Sequence, residues 1–288
     1  MKHFLDNGAI DALIRTALAE DIGTGDITTL SVISRGTQAY GRYIAKEDGV
    51  LCGIEIARRV YEILADGKAS VAFEAYFEDG DCFKKGDVLA SVSGDAVTLL
   101  SGERIGLNLM QHLSGIARET RRAVDAIAGT QAKIVDTRKT TPGMRVMEKY
   151  AVRVGGGTNH RFNLADGVLI KDNHIVAAGG IGAAVRAARA LAPHTLKIEV
   201  EVETEAQLLE ALDAGADIIM LDNMTEAQMA EAVRLADGRA LLEASGNMGE
   251  RDLRAVAKTG VDLISIGALT HSVRAVDISL KFKLKGQA

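Results

Sequence analysis

The sequence predicts an α/β protein in which a small, mainly antiparallel β region precedes a parallel α/β barrel, and three observations predict it. The apolar mass of the 288 residues comes chiefly from Ala, Leu, Ile and Val, with aromatics at 4% and no Trp. Such a composition suits helices packed on a sheet better than a β sandwich. From about residue 130 the chain repeats one unit, a short apolar strand followed by an amphipathic helix. The strands are continuous apolar runs, as expected where both faces of a sheet are covered.

Taken in order, residues 10–20 carry helical periodicity. Residues 40–97 alternate apolar and polar positions, cut by turn signals at Glu47-Asp48-Gly49, Asp79-Gly80 and Lys85-Gly86. The stretch SGERIGLNLMQHLSGIARET at 101–120 reads as a helix linking this region to the barrel. Strand candidates follow at 132–135, 167–170, 196–200, 217–221, 240–242 and 263–266. Between them IGAAVRAARALA, TEAQLLEALDAGA, TEAQMAEAVRLADG and GERDLRAVAKTG read as helices with Thr or Gly at their starts and Gly at their ends. Strand, helix, strand means parallel βα units, and a complete or incomplete α/β barrel is the first choice. A doubly wound open sheet is the alternative, although no G-x-G-x-x-G opens a helix after the first strand.

A formal net charge of −5 provides no general basic field for nucleic acid, so anions must be held by local clusters. Cys52 and Cys82 have no metal or redox spacing and read as reduced structural thiols. MKHFLDNGAI lacks a signal-peptide core, and no apolar run approaches the roughly 20 residues needed to cross a bilayer. A cytoplasmic location is expected.

In parallel α/β folds ligands lie at the C-terminal ends of the strands. Here those ends present DTRK at 136–139, KDNH at 171–174, Glu201, Asp222 with Asn223, EASGN at 243–247, and GALTH at 267–271, directly after Ile266. GGGTNHR adds His160 and Arg161. Ser245, Gly246, Asn247, Gly267 and Ala268 suit a phosphate held by backbone N–H groups, aided by the helix beginning near Glu250. Tight turns requiring positive φ explain the same residues. Glu201 and Asp222 can share a divalent cation or stabilise developing positive charge. Helix capping and ion pairing are the structural alternatives.

Arg138, Lys139, His160, Arg161 and Lys171 suit a polyanion, because crowding five cations without a ligand stores repulsion. Salt bridges explain any one of them alone. Lys171 also has an alternative reading as a Schiff-base lysine. Gly155 to Gly157 form either a mobile cover or a tight connection. EDIGTGDITT reads as a turn after the first helix, since its spacing fails the EF-hand pattern. FEDGDCFKKGDVLASVSG has the rhythm of a lipoyl carrier without the hairpin lysine and reads as scaffold. Arg104 is placed at a helix start, where the macrodipole disfavours a cation.

Through EDIGTGDITT, SGERIGLNLMQHLSGIA, DTRKTTPGMR, GGGTNHRFNLADGVLIKDNH, EVEVE, IIMLDNM, LLEASGNM and ISIGALTHS, in order over nearly the whole chain, the sequence resembles the quinolinate phosphoribosyltransferase family. The resemblance implies an N-terminal α/β sandwich domain and a C-terminal open α/β barrel of the type II phosphoribosyltransferase kind. The expected division is 1–115, joined by 272–288, and 116–271. It further implies a homodimer with shared sites, possibly a higher homo-oligomer, in which Arg104 serves the partner. Arg138, Lys139, His160, Arg161 and Lys171 would bind quinolinate and pyrophosphate. Glu201 and Asp222 would lie by the ribose and Mg²⁺, and the turns around Ser245 and Gly267 would hold the 5′-phosphate. Thr137, Gly246, Asn247, Ile266, Ala268 and His271 are counted with the substrate-binding residues, and Lys139, Lys171, Glu201 and Asp222 with the catalytic ones. The implied substrates are quinolinate and phosphoribosyl pyrophosphate. A barrel relative tied to molybdenum uptake operons, a lysine-dependent lyase and a non-catalytic phosphate sensor are the rival readings.

Overall fold

The computed structural model describes residues 8–34, 36–67 and 70–284. The leader reading on MKHFLDN and the last residues of the joining segment lie outside the described residues. The chain divides into two compact units, one of Met1–Glu119, Thr141–Gly155 and Val273–Ala288, the other of Thr120–Thr140 and Gly156–Ser272.

The first unit opens with α1 (Gly8–Ile22) and α2 (Ile27–Val32). EDIGTGDITT is the turn between them. Gly23 and Gly25 take positive φ, and Asp26 caps α2 by accepting the Thr29 N–H at 2.9 Å. Hydrogen bonds from the Thr29 hydroxyl and N–H hold the Asp26 carboxyl below its usual range. Then come β1 (Gln38–Ala45), β2 (Gly49–Val50), α3 (Ile54–Ala65), β3 (Val71–Ala75), β4 (Cys82–Phe83), β5 (Val88–Asp95) and α4 (Ala96–Ala126), which runs on into the second unit. With β12 (Ile278–Leu284) these strands form an antiparallel sheet in the order β12-β1-β5-β3, and β2 pairs with β4. Helix and sheet bury Tyr43, Tyr61, Leu89, Leu99 and Met110 together, and the two tyrosine hydroxyls meet at 2.5 Å. This sheet covered by helices is the sandwich the resemblance implies.

Residues 141–155, placed with the barrel by the expected division, group with the first unit instead. They hold α5 (Arg145–Val154), whose Tyr150 hydroxyl donates to Asp79 at 2.8 Å and whose buried Glu148 lies 2.8 Å from His112 Nε2.

The second unit contains β6 (Lys133–Val135), β7 (Val168–Ile170), α6 (Asp172–Ala178), α7 (Ile181–Leu191), β8 (Ile198–Val202), α8 (Glu205–Asp213), β9 (Ile218–Asp222), α9 (Glu226–Ala236), β10 (Leu241–Ser245), α10 (Leu253–Ala257), β11 (Leu263–Ser265) and α11 (Ala268–His271). Its six strands pair in parallel in the order β6-β11-β10-β9-β8-β7. The first strand thus lies beside the last, while β6 and β7 do not pair with each other. That is a barrel open between its first two strands. The glycine run is a tight connection along the gap: Thr158 bridges Val135, and its N–H donates to Ile134 at 2.8 Å.

Side chains alternate across each strand. Ile198, Val200, Ile219, Leu221, Leu242, Ala244 and Ile264 make the buried row under the helices. Each fully buried Ile, Leu or Val there contributes about 1.5–3 kcal/mol. Thr204 with Gln207 and Thr225 with Gln228 form capping boxes at the starts of α8 and α9, as TEAQ suggests. Among the described residues no helix is long and apolar enough to cross a membrane.

Candidate active site

The register fixes which residues share the inner face of the barrel. Leu169 pairs with Glu199 and Glu201 with Met220, so Lys171 comes level with Glu201, and Asp222 stands one pleat beyond Met220. Ser245 pairs with Asp222, and Ser265 pairs with Val135, which carries Gly267 and Thr137 to the same edge. Five strand ends therefore present Thr137, Lys171, Asp222, Ser245 and Gly267 to one opening, with Glu201 just inside.

β8 and β10 run further than the sequence suggests. Glu201, Glu243 and Ser245, read as following their strands, lie within them. Ladder pairing with β9 extends both, and alternation then turns Glu199, Glu201, Glu243 and Ser245 inward together.

The Lys171 ammonium pairs with the Glu201 carboxylate, and the Lys171 N–H donates to His174 Nδ1 at 2.9 Å at the start of α6. A carboxylate contact is the opposite of the apolar or cationic setting that a Schiff-base lysine uses. Glu201 and Asp222 offer hard oxygens from adjacent strands. That donor set fits Mg²⁺, which takes one or two carboxylates and completes its shell with water or phosphate oxygens. Asp222 already accepts from Asn223 Nδ2 at 2.7 Å.

The DTRK segment forms a loop immediately past β6. Lys139 N–H donates to Thr137 Oγ1 at 3.0 Å, and Lys139 O accepts from Thr270 Oγ1 at 2.7 Å. A side chain at Gly267 would meet Lys139 Cδ at 3.0 Å and the His271 ring at 3.2 Å, so Lys139 and His271 flank that turn. At the other turn Gly246 has φ 96°, and a Cβ there would lie 2.8 Å from Asn223 N. Only glycine fits. Asn247 is also left-handed, at φ 49°. Both the phosphate reading and the turn reading are thus consistent with this backbone.

Two other expectations are corrected. The helix read as starting near Glu250 spans only Leu253–Ala257, and Asp252 already accepts from its Arg254 and Ala255 N–H groups. It offers no open N-terminus, because its own cap fills it. Ile266 is 3% exposed on the row under the helices and its N–H donates to Val135, so its side chain is absent from the opening.

Arg161 donates to Gly167 O at 2.9 Å, and burial together with the Arg138 guanidinium pushes Arg161 below its usual range, with Glu199 opposing. Like charges crowded in this way store repulsion that an anion would relieve. His160, expected to bind substrate, is held inward. Its Nδ1 accepts the Arg161 N–H at 2.7 Å, and its Nε2 lies 3.0 Å from Glu199 and 3.7 Å from Glu243. Both ring nitrogens already have protein partners. Asp136, fully buried, accepts from His160 N–H at 2.8 Å and Asn159 Nδ2 at 2.7 Å. The sequence reading passed over Asp136 and Glu199 as supports, and their only signal was an acid inside an apolar run.

Burial, with Glu199 close by, pushes the Glu243 carboxyl up to about 7. A carboxyl raised on folding contributes stability that is present below its unfolded value, 4.5, and is lost as pH rises through about 7. Glu243→Gln should therefore match the wild type near pH 4 and exceed it by on the order of 1–3 kcal/mol near pH 8. Urea unfolding at the two pH values checks this, and parallel curves would contradict it.

Arg104, expected at a helix start, is an exposed residue well inside α4, because the helix begins at Ala96. The macrodipole argument for it therefore lapses. A cavity of about 970 Å³ in the first unit is lined by Asp11, Arg58, Arg59 and Glu62 among others, but both arginines are ion-paired with these acids or with Glu55.

Residues 26–114 match the N-terminal domain of quinolinate phosphoribosyl transferase, and residues 116–281 match its C-terminal domain. The chain is 46% identical over 276 residues to a probable carboxylating nicotinate-nucleotide pyrophosphorylase of Bacillus subtilis, covering 96% of this chain and 94% of that one. It is likewise 46% identical to the Mycobacterium leprae nicotinate-nucleotide pyrophosphorylase, covering 93% and 95%. The crystal structure of NadC from Streptococcus pyogenes superposes with a TM-score of 0.89 at 43% identity, over 96% of this chain and 97% of that one. With both domains matched in order, and a covered sheet followed by an open parallel barrel, the chain belongs to the quinolinate phosphoribosyltransferase family.

Proposed function

We propose that the protein transfers the phosphoribosyl group of phosphoribosyl pyrophosphate to quinolinate with decarboxylation, giving nicotinate mononucleotide, pyrophosphate and CO₂ for de novo NAD synthesis. The observation that carries this reading is the shared inner edge of the barrel. It gathers cations from β6 and β7, carboxylates from β8 and β9, and glycine turns from β10 and β11. Each group answers one part of the reaction.

Arg138 and Arg161 bind the quinolinate carboxylates, since a guanidinium fork matches a planar carboxylate. Lys139 and Lys171 meet the pyrophosphate as compact charges. The turns at Ser245 to Asn247 and Gly267 to Ala268, with Thr137 and His271 beside them, receive the 5′-phosphate. The ring nitrogen attacks C1 of the ribose as the C1–oxygen bond to pyrophosphate breaks. Glu201 and Asp222 supply the negative field that the oxocarbenium-like transition state needs. Lys171 leaves Glu201 for the departing pyrophosphate, so Glu201 regains its full charge as C1 becomes positive. The C2–carboxylate bond then cleaves. Its electron pair remains at C2, stabilised by the adjacent pyridinium nitrogen, and a proton from water completes the product. Glu201 and Asp222 would hold Mg²⁺, which when bound neutralises the pyrophosphate oxygens.

A homodimer in which Arg104 serves the partner's site belongs to the same proposal. It is supported by the exposure of Arg104 in the middle of a long helix.

The test combines the protein with Mg²⁺, phosphoribosyl pyrophosphate and quinolinate labelled in its 2-carboxylate. Labelled CO₂ and nicotinate mononucleotide are expected in equal amounts. Folded protein that yields neither overturns the reading.

A further inference from the structure

The barrel interior holds a polar cluster that the transfer chemistry above does not use. Glu199 and Glu243 are 3% and 1% exposed, and among the described residues Glu199 Oε1 and both Glu243 oxygens have no hydrogen-bond partner. With His160 they bring ligand atoms within 4.8 Å of one another, close enough for a metal ion. The hydrogen bonds argue against one. A metal on Nε2 requires the ring proton at Nδ1. That position already faces the Arg161 N–H at 2.7 Å, so the ring proton sits on Nε2 and is directed at Glu199.

We propose that Glu199 is a positioning residue for phosphoribosyl transfer: by accepting the His160 Nε2–H inside the barrel, it fixes the His160–Arg161 segment so that Arg161 faces the quinolinate carboxylates. This rests on the proposed function and extends it to a residue that never touches substrate. The segment is held at three points. Asp136 takes the His160 backbone N–H, Glu199 takes the ring, and Arg161 is tied through its own N–H to Nδ1 and through its guanidinium to Gly167 O. Without Glu199 the ring loses the acceptor 3.0 Å from Nε2, and Glu243 stands farther off at 3.7 Å. A ring free to turn also withdraws the Nδ1 acceptor from the Arg161 N–H. A guanidinium displaced by about 1 Å is enough to weaken recognition severely.

The test has a mutational and a spectroscopic arm. Glu199→Ala should raise KM for quinolinate roughly ten- to hundredfold while KM for phosphoribosyl pyrophosphate changes by less than about threefold. Glu199→Gln, whose amide oxygen can still accept from Nε2–H, should recover quinolinate KM to within about threefold of wild type. Equal rises in both KM values, no rise in quinolinate KM in folded Glu199→Ala, or a Gln variant as impaired as Ala would each overturn the proposal. Should the Ala variant fail to fold, nitrogen-15 imidazole shifts of the wild-type protein still decide. Only the Nε2–H tautomer of His160 is expected, and an Nδ1–H tautomer or an imidazolium refutes it. Wild-type protein that makes no product would instead defeat the parent reading, leaving the tautomer measurement to judge the geometry separately.

Discussion

Glu201→Gln is expected to lower kcat by about two to three orders of magnitude, the usual cost of removing one preorganised electrostatic group from a transition state. Glu201 ends the inner row of β8, partly buried, and its ligand-free partner is the Lys171 ammonium from the neighbouring strand. The amide keeps the shape and removes the charge. Three consequences then coincide in the proposed mechanism: the positive ribose carbon loses a counter-charge, Lys171 loses the group that holds it ready, and Mg²⁺ would lose one of the two carboxylates proposed to hold it. The loss should appear in kcat more than in either KM, because the positive charge at C1 exists only during the reaction. A Mg²⁺ titration should also shift to higher concentration. Because Glu201 and Lys171 act as a pair, Glu201→Gln combined with Lys171→Met should cost less than the product of the single losses. Steady-state rates at saturating substrates decide the matter. A kcat within about threefold of wild type would remove Glu201 from the mechanism.

The second large effect is one of recognition. Arg138→Ala should raise KM for quinolinate by about ten- to a hundredfold, the range expected when a charge-assisted pair worth about 1.5–3 kcal/mol is lost. KM for phosphoribosyl pyrophosphate should change little, since a planar fork suits a carboxylate and the proposed mechanism has the pyrophosphate met by lysines. Arg138 bears on Arg161, whose guanidinium is already disfavoured by burial and by this neighbour. Equal loss of affinity for both substrates would show that Arg138 acts as a general anion trap.

Much of the second unit is legible along the chain because its signals are local. The helix starts at TEAQ can be read because Thr and Gln three residues apart satisfy each other's backbone partners whatever the rest of the protein does. Apolar runs such as DIIML and LLEA mark strands for the same reason. Their ends are less legible. Nothing in LLEASGN says that pairing continues through Ser245, because the ladder partner on β9 sets that limit. A helix expected to start near Glu250 is shortened by Asp252, a cap preferred over its neighbours only once the preceding turn is formed. Likewise α4 runs from Ala96 to Ala126, far beyond the stretch whose periodicity announces it, because tertiary packing extends helices past their local preference.

The sequence by itself determined the class of the fold, the succession of βα units and the identity of the charged residues at the barrel mouth. Each of these depends on residue types at short spacing, and hydrophobic periodicity acts over a few residues. The tertiary structure alone decided the direction in which those residues point. Strand register placed Glu199 and Glu243 on the inner face, although EVEVE and LLEAS read equally well with either face inward. It paired Lys171 with Glu201 across two strands, and it brought His160 Nε2 to 3.0 Å from the inward-facing Glu199, a contact the sequence does not show. A one-residue shift in pairing reverses every side chain of a strand. The chemistry of the site was therefore written in the residues, but its geometry was set by strands that meet only when the barrel forms.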